Sequence, residues 1–367
     1  MNNYIGLYIH IPFCKSKCPY CDFFSGKASE NDYEDYTRLL SDKIIKWGEK
    51  CKNHIVSSIY FGGGTPSILG AKRLASLQSI IKTHFNVADD AEITVEVNPD
   101  SGKELDFCLL KKLGFNRISV GMQSAVEAEL KALGRIHSTD DAMITVKRAK
   151  TAGINNISLD LMLGIPYQTD ESLKKSIEFC ASCDVTHISS YILKIEEGTK
   201  FEKLKDKLPF LNDDRQAQLY LLAVEMLETL GYKQYEISNF SKPGFESRHN
   251  INYWKCGEYI GIGPSAHSFF EGKRFYYNRS INDFAQDKIH FDCLGGDKEE
   301  FIMLSLRLKD GLNFEEYKQK YKENFPCDKL QVIKKYSKLG YMEIKNQSCS
   351  FTPKGFLVSN TIISELI

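Results

Sequence analysis

The sequence predicts an α/β protein, built on an open, partial (β/α)6 barrel with a smaller α+β, winged-helix-like domain at its C-terminal end. Three observations support this prediction. Short apolar or alternating runs recur along the first half of the chain, a longer stretch of helical periodicity follows each run, and the pattern changes after residue 212. A chain of 367 residues is long enough for one large domain and a small one.

Six short runs are the predicted strands, and they cover residues 7–11, 58–61, 93–97, 117–120, 157–161 and 187–192. The helical segments between them are 31–50, 71–85, 103–114, 139–153 and 169–183. This alternation is typical of βα units around a parallel sheet. Gly114 and Gly153 stand where two helices are expected to stop, because glycine accepts the left-handed position past a helix end. Six units are too few to close an eight-stranded barrel, so we expect an open one.

The second part of the chain has a different character. A predicted helix at 213–230 leads to a polar and aromatic stretch that contains HNINYW (249–254) and the Gly-rich turn GIGPSAH. The last part predicts helices followed by two short strands at 341–344 and 350–352, an order that resembles a winged-helix module. The predicted domains are the barrel (1–235), a connecting segment (236–290) and the C-terminal domain (291–367).

Composition excludes several classes of protein. Hydrophobic residues make up 42% and charged residues 26% of the chain, and 48 Lys and Arg balance 48 Asp and Glu. No overall charge attracts nucleic acid or an anionic membrane, and nothing in the sequence supports peripheral membrane contact. The N-terminus lacks the features of a signal peptide, no apolar run reaches the ~18 residues of a membrane span, and eleven scattered cysteines fit a reducing compartment. We therefore expect a cytoplasmic protein.

Three cysteines stand directly after the first strand. Cys14, Cys18 and Cys21 have the spacing C-x3-C-x2-C, and three thiols this close cannot all pair locally. Soft thiolate ligands select zinc, copper(I) or iron–sulfur. A structural zinc loop needs a distant fourth ligand, such as His10 or Asp22. Three ligands suit a 4Fe-4S cluster with one iron left open. The C-x2-C pair at 180 and 183 has no partner pair nearby, so no second metal site is predicted there.

Other polar or Gly-rich positions fall at the ends of the predicted strands. In barrel-type folds the chemistry takes place at the carboxyl ends of the parallel strands and on the loops that follow them. The residues at these ends are Gly62, Gly63, Gly64 and Thr65 after the second strand, Glu96 in the third, Gln123 after the fourth and Asp160 in the fifth. Consecutive glycines also let backbone N–H and C=O groups approach a ligand closely. The pattern predicts one site at this end of the barrel.

The cysteine motif, with HIPF before it and Asp22-Phe23 after it, resembles the signature of the radical S-adenosylmethionine superfamily. YIHIPFC and CPYCDFFS resemble in particular the oxygen-independent coproporphyrinogen III oxidase-like family, including its HemW-type haem chaperones. The resemblance implies a partial barrel in which the three cysteines hold three irons of a 4Fe-4S cluster. S-adenosylmethionine would chelate the fourth iron, and an electron from the cluster could cleave it to methionine and a 5′-deoxyadenosyl radical.

The resemblance also implies a cofactor pocket. The segments VEVNPD, SVGMQS, LGRIHS and SLDLMLGIP are similar to motifs of the family, and the GGGTP loop is expected to hold the methionine moiety. Carboxylates can accept from ribose hydroxyls, and an arginine fork suits a carboxylate. Two tyrosines match aromatic positions of the family pocket, although ordinary packing explains them equally well. The implied cofactor-binding residues are Tyr8, Tyr20, Gly63, Gly64, Thr65, Glu96, Gln123, Arg135 and Asp160.

HNINYW resembles an H-N-x-x-Y-W motif of the HemW-type proteins. Histidine is a common protein ligand of haem iron, so the resemblance makes His249 a candidate haem ligand, with His267 a weaker one. The alternative is that the motif is an aromatic anchor that packs the C-terminal part of the chain against the barrel.

One departure from the family pattern separates its branches. The oxidases of the family carry a fourth cysteine two residues past the third, where this chain has Phe23. They also carry a long N-terminal extension, whereas Tyr8 of the matching motif is only the eighth residue here. The resemblance therefore implies a haem chaperone that passes haem to an acceptor haemoprotein, with flavodoxin or ferredoxin as electron donor if radical chemistry occurs. Oxygen-independent coproporphyrinogen III oxidase and radical methyltransferase are the alternatives, and oxidase activity is not expected with Phe23 in place of the cysteine.

Overall fold

The computed structural model describes residues 3–367 of the chain. Six strands in its first half lie side by side and parallel, in the order in which they occur in the sequence. Their central residues are buried on both faces, as expected of a parallel sheet. The strands are β1 (Tyr4–Ile11), β2 (Ile55–Gly63), β3 (Asn86–Val97), β4 (Arg117–Gln123), β5 (Asn156–Leu163) and β6 (His187–Ile192). All six predicted runs lie within them.

Helices connect these strands and cover the sheet. Ser29, Ser138 and Thr169 each begin a helix with a capping box, in which the cap side chain and the third helical residue satisfy each other's backbone amides. No helix among residues 3–367 is both long and apolar enough to cross a membrane. The helices are α1 (Glu30–Lys50), α2 (Gly70–His84), α3 (Pro99–Gly102), α4 (Phe107–Lys112), α5 (Glu127–Ala132), α6 (Thr139–Thr151) and α7 (Asp170–Ser182), with a 3-10 helix (Pro66–Leu69) before α2.

The chain then adds further strands at both edges of this sheet. The elements are α8 (Lys200–Lys203), α9 (Asp213–Thr229), β7 (Lys233–Gln234), β8 (Asn239–Ser241), α10 (Arg248–Trp254), β9 (Tyr259–Ile262), β10 (His267–Phe270), β11 (Lys273–Tyr277), α11 (Ile281–Ala285) and β12 (Ile289–Leu294). β8 pairs antiparallel with β6, whereas β9 pairs parallel with β1. The twelve-stranded order is β12-β11-β10-β9-β1-β2-β3-β4-β5-β6-β8-β7, so the edges are β12 and β7 and the barrel is open.

The expected connecting segment differs from the structure. The segment 236–290 supplies four strands of the main sheet, β8 to β11, and the expected boundary at 290/291 falls inside β12. The chain turns within GIGPSAH, at residues 263–266, but Gly261 and Ile262 end β9 and His267 begins β10. Local glycine content conceals these strands, because β9 pairs with β1, which is far away in sequence, and β10 then pairs with β9.

The C-terminal domain contains helices followed by a hairpin, as predicted. Its elements are α12 (Lys298–Ser305), β13 (Leu312–Asn313), α13 (Phe314–Tyr321), α14 (Cys327–Lys338), β14 (Met342–Lys345), β15 (Ser348–Phe351), α15 (Pro353–Leu357) and α16 (Ser359–Ser364). The three strands form an antiparallel sheet in the order β13-β15-β14. The hairpin turns at Asn346 and Gln347, whose positive φ angles suit a tight two-residue loop.

Candidate functional site

A cavity of about 510 Å³ lies at the C-terminal end of the six parallel strands. Most of the predicted site residues line it, and the exceptions are Tyr8, Gly62, His249 and the weaker haem-ligand candidate His267. The structure thus brings together residues from the loops after β1, β2 and α5 and from the ends of β2, β3, β4 and β5. Those lining the cavity are Cys14, Cys18, Cys21, Tyr20, Gly63, Gly64, Thr65, Glu96, Gln123, Arg135 and Asp160.

The three cysteines are free, half-buried thiols on one wall. Thr65 Oγ1 donates to Cys14 Sγ at 3.4 Å, and Arg135 Nη1 donates to Cys18 Sγ at 3.5 Å. These two contacts hold Cys14 and Cys18 in place on the wall of the cavity. Among residues 3–367, no three His, Cys, Asp or Glu side chains are arranged to hold a single metal ion. In an iron–sulfur cube each thiolate binds a different iron, so its ligands need not meet at one point.

The side chains considered as a fourth zinc ligand are engaged elsewhere. His10 Nδ1 lies 3.1 Å from the Tyr8 hydroxyl and Nε2 lies 3.0 Å from the Phe24 carbonyl oxygen. Burial lowers the pKa of His10 to about 4, so its ring is neutral and both nitrogens have partners. Asp22 accepts two hydrogen bonds from Arg279, at 2.8 and 3.1 Å. This arrangement favours a site with three thiol ligands.

The glycine loop packs directly on the backbone that precedes Cys14. The Gly64 amide donates to the Ile11 carbonyl at 2.8 Å, and the Thr65 amide donates to the Phe13 carbonyl at 2.7 Å. A Cβ at position 64 would lie 2.6 Å from the Phe13 carbonyl oxygen, which is closer than real Cβ contacts. Gly63 has a φ of 108°, a conformation that side chains disfavour. Glycine therefore brings this loop against the cysteine loop.

Glu96 sits between the glycine loop and the barrel interior. Its carboxylate accepts from the Tyr60 hydroxyl at 2.8 Å and from the Gly63 amide at 3.2 Å. Burial, helped by the negative charge of Asp160, raises the pKa of Glu96 to about 7. The hydrogen bond from Tyr60 acts in the opposite direction and lowers this pKa. A carboxylate poised between its two forms can accept or donate hydrogen bonds to a ligand.

Arg135 and Asp160 are held from behind by hydrogen bonds. Arg135 Nη2 donates to the Gly121 carbonyl at 2.6 Å and to Asn98 Oδ1 at 2.9 Å. Asp160 accepts from the Ser119 hydroxyl at 3.1 Å, and burial raises the pKa of this carboxyl. Both side chains are therefore oriented before any ligand enters, which lowers the entropy lost on binding.

The two tyrosines differ in position. Tyr20 lines the cavity and packs against Phe201, with ring centroids 6.0 Å apart. Tyr8 lies behind the wall, where its ring stacks on Tyr60 at 6.3 Å and its hydroxyl meets His10. The packing explanation therefore suits Tyr8, whereas Tyr20 is placed to contact a ligand.

His249 is buried at the start of α10 and is 1% exposed. Its Nδ1 lies 2.9 Å from the Ser58 hydroxyl, its Nε2 lies 2.7 Å from the Tyr253 hydroxyl, and its ring stacks on Tyr60. In this conformation it presents no free nitrogen to haem iron. Ligation would require that one of these bonds break, so the role of His249 as a haem ligand stays a prediction.

Sequence reasoning missed several residues of the cavity wall, namely Tyr60, Arg117 and Ser119. The signal for two of them was present. Arg117 and Ser119 precede Gly121 by four and two residues, and the two-residue period of a strand places all three on one face.

Comparisons with known proteins agree with this geometry. The Radical SAM superfamily model matches residues 8–180, and the HemN C-terminal domain model matches residues 298–358. The protein named Heme chaperone HemW from Bacillus subtilis is 32% identical over 372 residues, which cover 98% of each chain. The chain belongs to the HemW family.

Other HemW relatives support this membership. Heme chaperone HemW from Mycobacterium tuberculosis is 34% identical over 84% of this chain and 82% of its own length. Heme chaperone HemW from Escherichia coli is 39% identical over 72% of this chain and 69% of its own length. The resemblance inferred from the cysteine motif is thus confirmed.

The fold prediction is confirmed as well. The solved structure of coproporphyrinogen III oxidase (HemN) from Escherichia coli superposes with a TM-score of 0.85 over all of this chain and 90% of that one. At 20% identity, this similarity concerns the fold alone.

Proposed function

We propose that this protein binds haem and transfers it to an acceptor haemoprotein, and that it carries a 4Fe-4S cluster and S-adenosylmethionine in the cavity. The observation that carries the proposal is the similarity along 98% of the chain to a protein named Heme chaperone HemW. The cavity supports it, because the three free thiols and the preoriented polar side chains lie on one set of walls.

The residues present fit the cluster and its ligand. Cys14, Cys18 and Cys21 would hold three irons, and when bound the cluster supplies a fourth iron and an electron for S-adenosylmethionine. The backbone at Gly64 and the fork of Arg135 are suited to the amino acid part of that molecule. Glu96 and Asp160 are suited to accept from its hydroxyl groups.

Phe23 supports the chaperone over the oxidase. This side chain lines the cavity and is 66% exposed, two residues past Cys21, where the oxidases of the resemblance carry a further cysteine. An exposed aromatic ring beside the cavity suits contact with an apolar macrocycle or a partner protein better than ligation of a metal.

The test is anaerobic reconstitution followed by two measurements on one sample. Haemin is titrated while the Soret band is recorded, and the loaded protein is then mixed with an apo-haemoprotein. We expect a saturable change of the Soret band in the titration and, after mixing, the absorption spectrum of the haem-loaded acceptor protein. Flavodoxin or ferredoxin with a reductant is tested as the electron source. Absence of a Soret change contradicts the proposal. Anaerobic formation of vinyl products from coproporphyrinogen III would instead establish the oxidase.

A further inference from the structure

Arg117 is the one buried cation on the floor of the cavity among residues 3–367. It begins β4, and its backbone is paired with Thr94 of β3, which in turn is paired with Tyr60 of β2. Glu96 and Ser119 form the next pair toward the C-terminal end on the same face. Arg117 therefore lies one layer deeper than the carboxylate of Glu96, and it is only 2% exposed.

This guanidinium has no hydrogen-bond or ion-pair partner within the described part of the chain. Its Nε is fully buried and unpartnered. The two terminal nitrogens also lack partners but are not sealed off, so they face the open volume of the cavity. Arg135, in contrast, donates to Asn98 and Gly121. A buried group that can donate five hydrogen bonds and makes none needs an explanation.

The neighbouring acids do not provide one. Glu92 accepts from the Ser247 hydroxyl at 3.3 Å and from the amides of Arg248 and His249 at 3.0 and 3.1 Å. Asp160 and Glu96 accept from hydroxyl and amide groups, as described above. Burial lowers the pKa of Arg117, but the attraction of Glu92 and other acidic groups raises it on balance, so the charge persists. These acids attract the guanidinium without occupying its donors.

We propose that Arg117 anchors a carboxylate of the bound ligand through a two-point hydrogen bond. A planar carboxylate matches the fork of the guanidinium, and Tyr60 and Ser119 line the same cavity. A single negative charge is favoured because two carboxylates, Glu96 and Asp160, already occupy the layer above. The two sources of such a carboxylate, a haem propionate and the methionyl carboxylate of S-adenosylmethionine, rest on the proposed function.

The experiment compares each ligand with a counterpart that lacks the carboxylate. On the cluster-loaded protein, haemin is compared with haemin dimethyl ester by Soret titration, and S-adenosylmethionine with its decarboxylated form by calorimetry. Arg117→Gln and Arg117→Lys are measured beside Arg38→Gln, whose exposed side chain pairs only with Asp35. Circular dichroism establishes that each variant is folded.

We expect the wild type to favour the carboxylate form of one pair by about tenfold. Arg117→Gln should reduce this ratio to near one without changing the affinity for the counterpart, and Arg117→Lys, which keeps the charge but loses the fork, should retain part of it. The pair that responds identifies the source. The inference is overturned if the wild type shows no preference for the carboxylate form in either pair, or if that preference survives in Arg117→Gln. If Arg117→Gln does not fold, a full preference for the carboxylate form in Arg117→Lys overturns the two-point bond. Failure of every protein to bind haemin refutes the proposed function, while the S-adenosylmethionine pair still decides the role of Arg117.

Discussion

The Nδ1 atom of His249 lies 2.9 Å from the hydroxyl of Ser58, which joins helix α10 to strand β2. Tyr253 occupies the other ring nitrogen, and Glu92 of β3 accepts from the first amides of the same helix. Burial, followed by the charge of Arg117, lowers the pKa of His249 to about 3, so the ring is neutral. Helix α10 is therefore held against β2 by the imidazole of His249 and against β3 by the carboxylate of Glu92.

Replacement of His249 tests whether this fastening is its only role. His249→Ala should reduce the free energy of unfolding by about 3 kcal/mol, because it leaves a buried cavity and two hydroxyls without their partner. Urea denaturation of the cluster-free protein measures this. Haemin titration of the same variant separates the roles, with His267→Ala measured beside it to test the weaker candidate. A lost Soret change in His249→Ala alone supports ligation, whereas an unchanged titration restricts His249 to the fold.

Replacement of a single cavity cysteine should remove the cluster. Cys18→Ala eliminates one of the three proposed iron ligands and the thiol beside Arg135, so we expect iron content and the visible absorption of the reconstituted protein to fall to background. Cys183→Ala is the matched control, since Cys183 ends α7 away from the cavity. Equal iron content in the two variants would contradict the site.

The glycine loop should not tolerate a methyl group. Gly64→Ala places Cβ within 2.6 to 2.9 Å of the backbone around Phe13, so we expect a loss of about 3 kcal/mol in unfolding free energy and weaker binding of S-adenosylmethionine. Gly26→Ala, whose Cβ would meet nothing within 4 Å, should change stability by less than about 0.5 kcal/mol. Denaturant titration and calorimetry measure both effects. Identical behaviour of the two variants would show that the close approach is not required.

Glu96 should make stability depend on pH. Its pKa, about 7 in the folded protein, lies above the ordinary value of 4.5, mainly because of burial. The folded state therefore holds a proton that the unfolded state releases, and this contribution is complete below pH 4.5 and is lost as pH rises through 7. Glu96→Gln removes the titration. We expect the stability of Glu96→Gln relative to wild type to increase by at most about 3 kcal/mol between pH 4.5 and 8.

Urea denaturation of the cluster-free protein at three pH values measures this difference. Glu236→Gln is a useful companion, because burial also raises the pKa of Glu236 to about 7 at a position that does not line the cavity. Both variants should show the same sign, but only Glu96→Gln should alter ligand binding. A difference for Glu96→Gln that is constant with pH would contradict the assigned pKa.

The parts of the molecule that follow local pattern were predictable from sequence. The runs that became β1 to β6 alternate with amphipathic helices, and the rule that chemistry gathers at the carboxyl ends of parallel strands placed Glu96 and Asp160 correctly beside the cysteines. Each of these inferences needs only neighbouring residues and the geometry of one strand.

The parts that depend on distant contacts were not predictable. β9 is a strand because it pairs with β1, and no local feature of this glycine-rich segment predicts that pairing. Arg117 is a charged side chain that sequence alone would place near solvent, and the sequence left His249 open between a haem ligand and part of a packing anchor. Their burial follows from the elements that pack around them. The hydrogen bond between His249 and Ser58, and the lack of a partner for Arg117 Nε within the described residues, both depend on the finished fold.

Strand β1 has β2 on one side and β9 on the other, so the segment that leads to the cysteines lies well inside the sheet. β2 pairs with β1 from Tyr4 to Ile11, and β9 pairs with β1 from Gly6 to Ile9, so protein strands alone hold this segment. Loss of the proposed cluster should therefore leave a folded polypeptide whose three thiols stay at the same end of the sheet, ready to receive a new cluster.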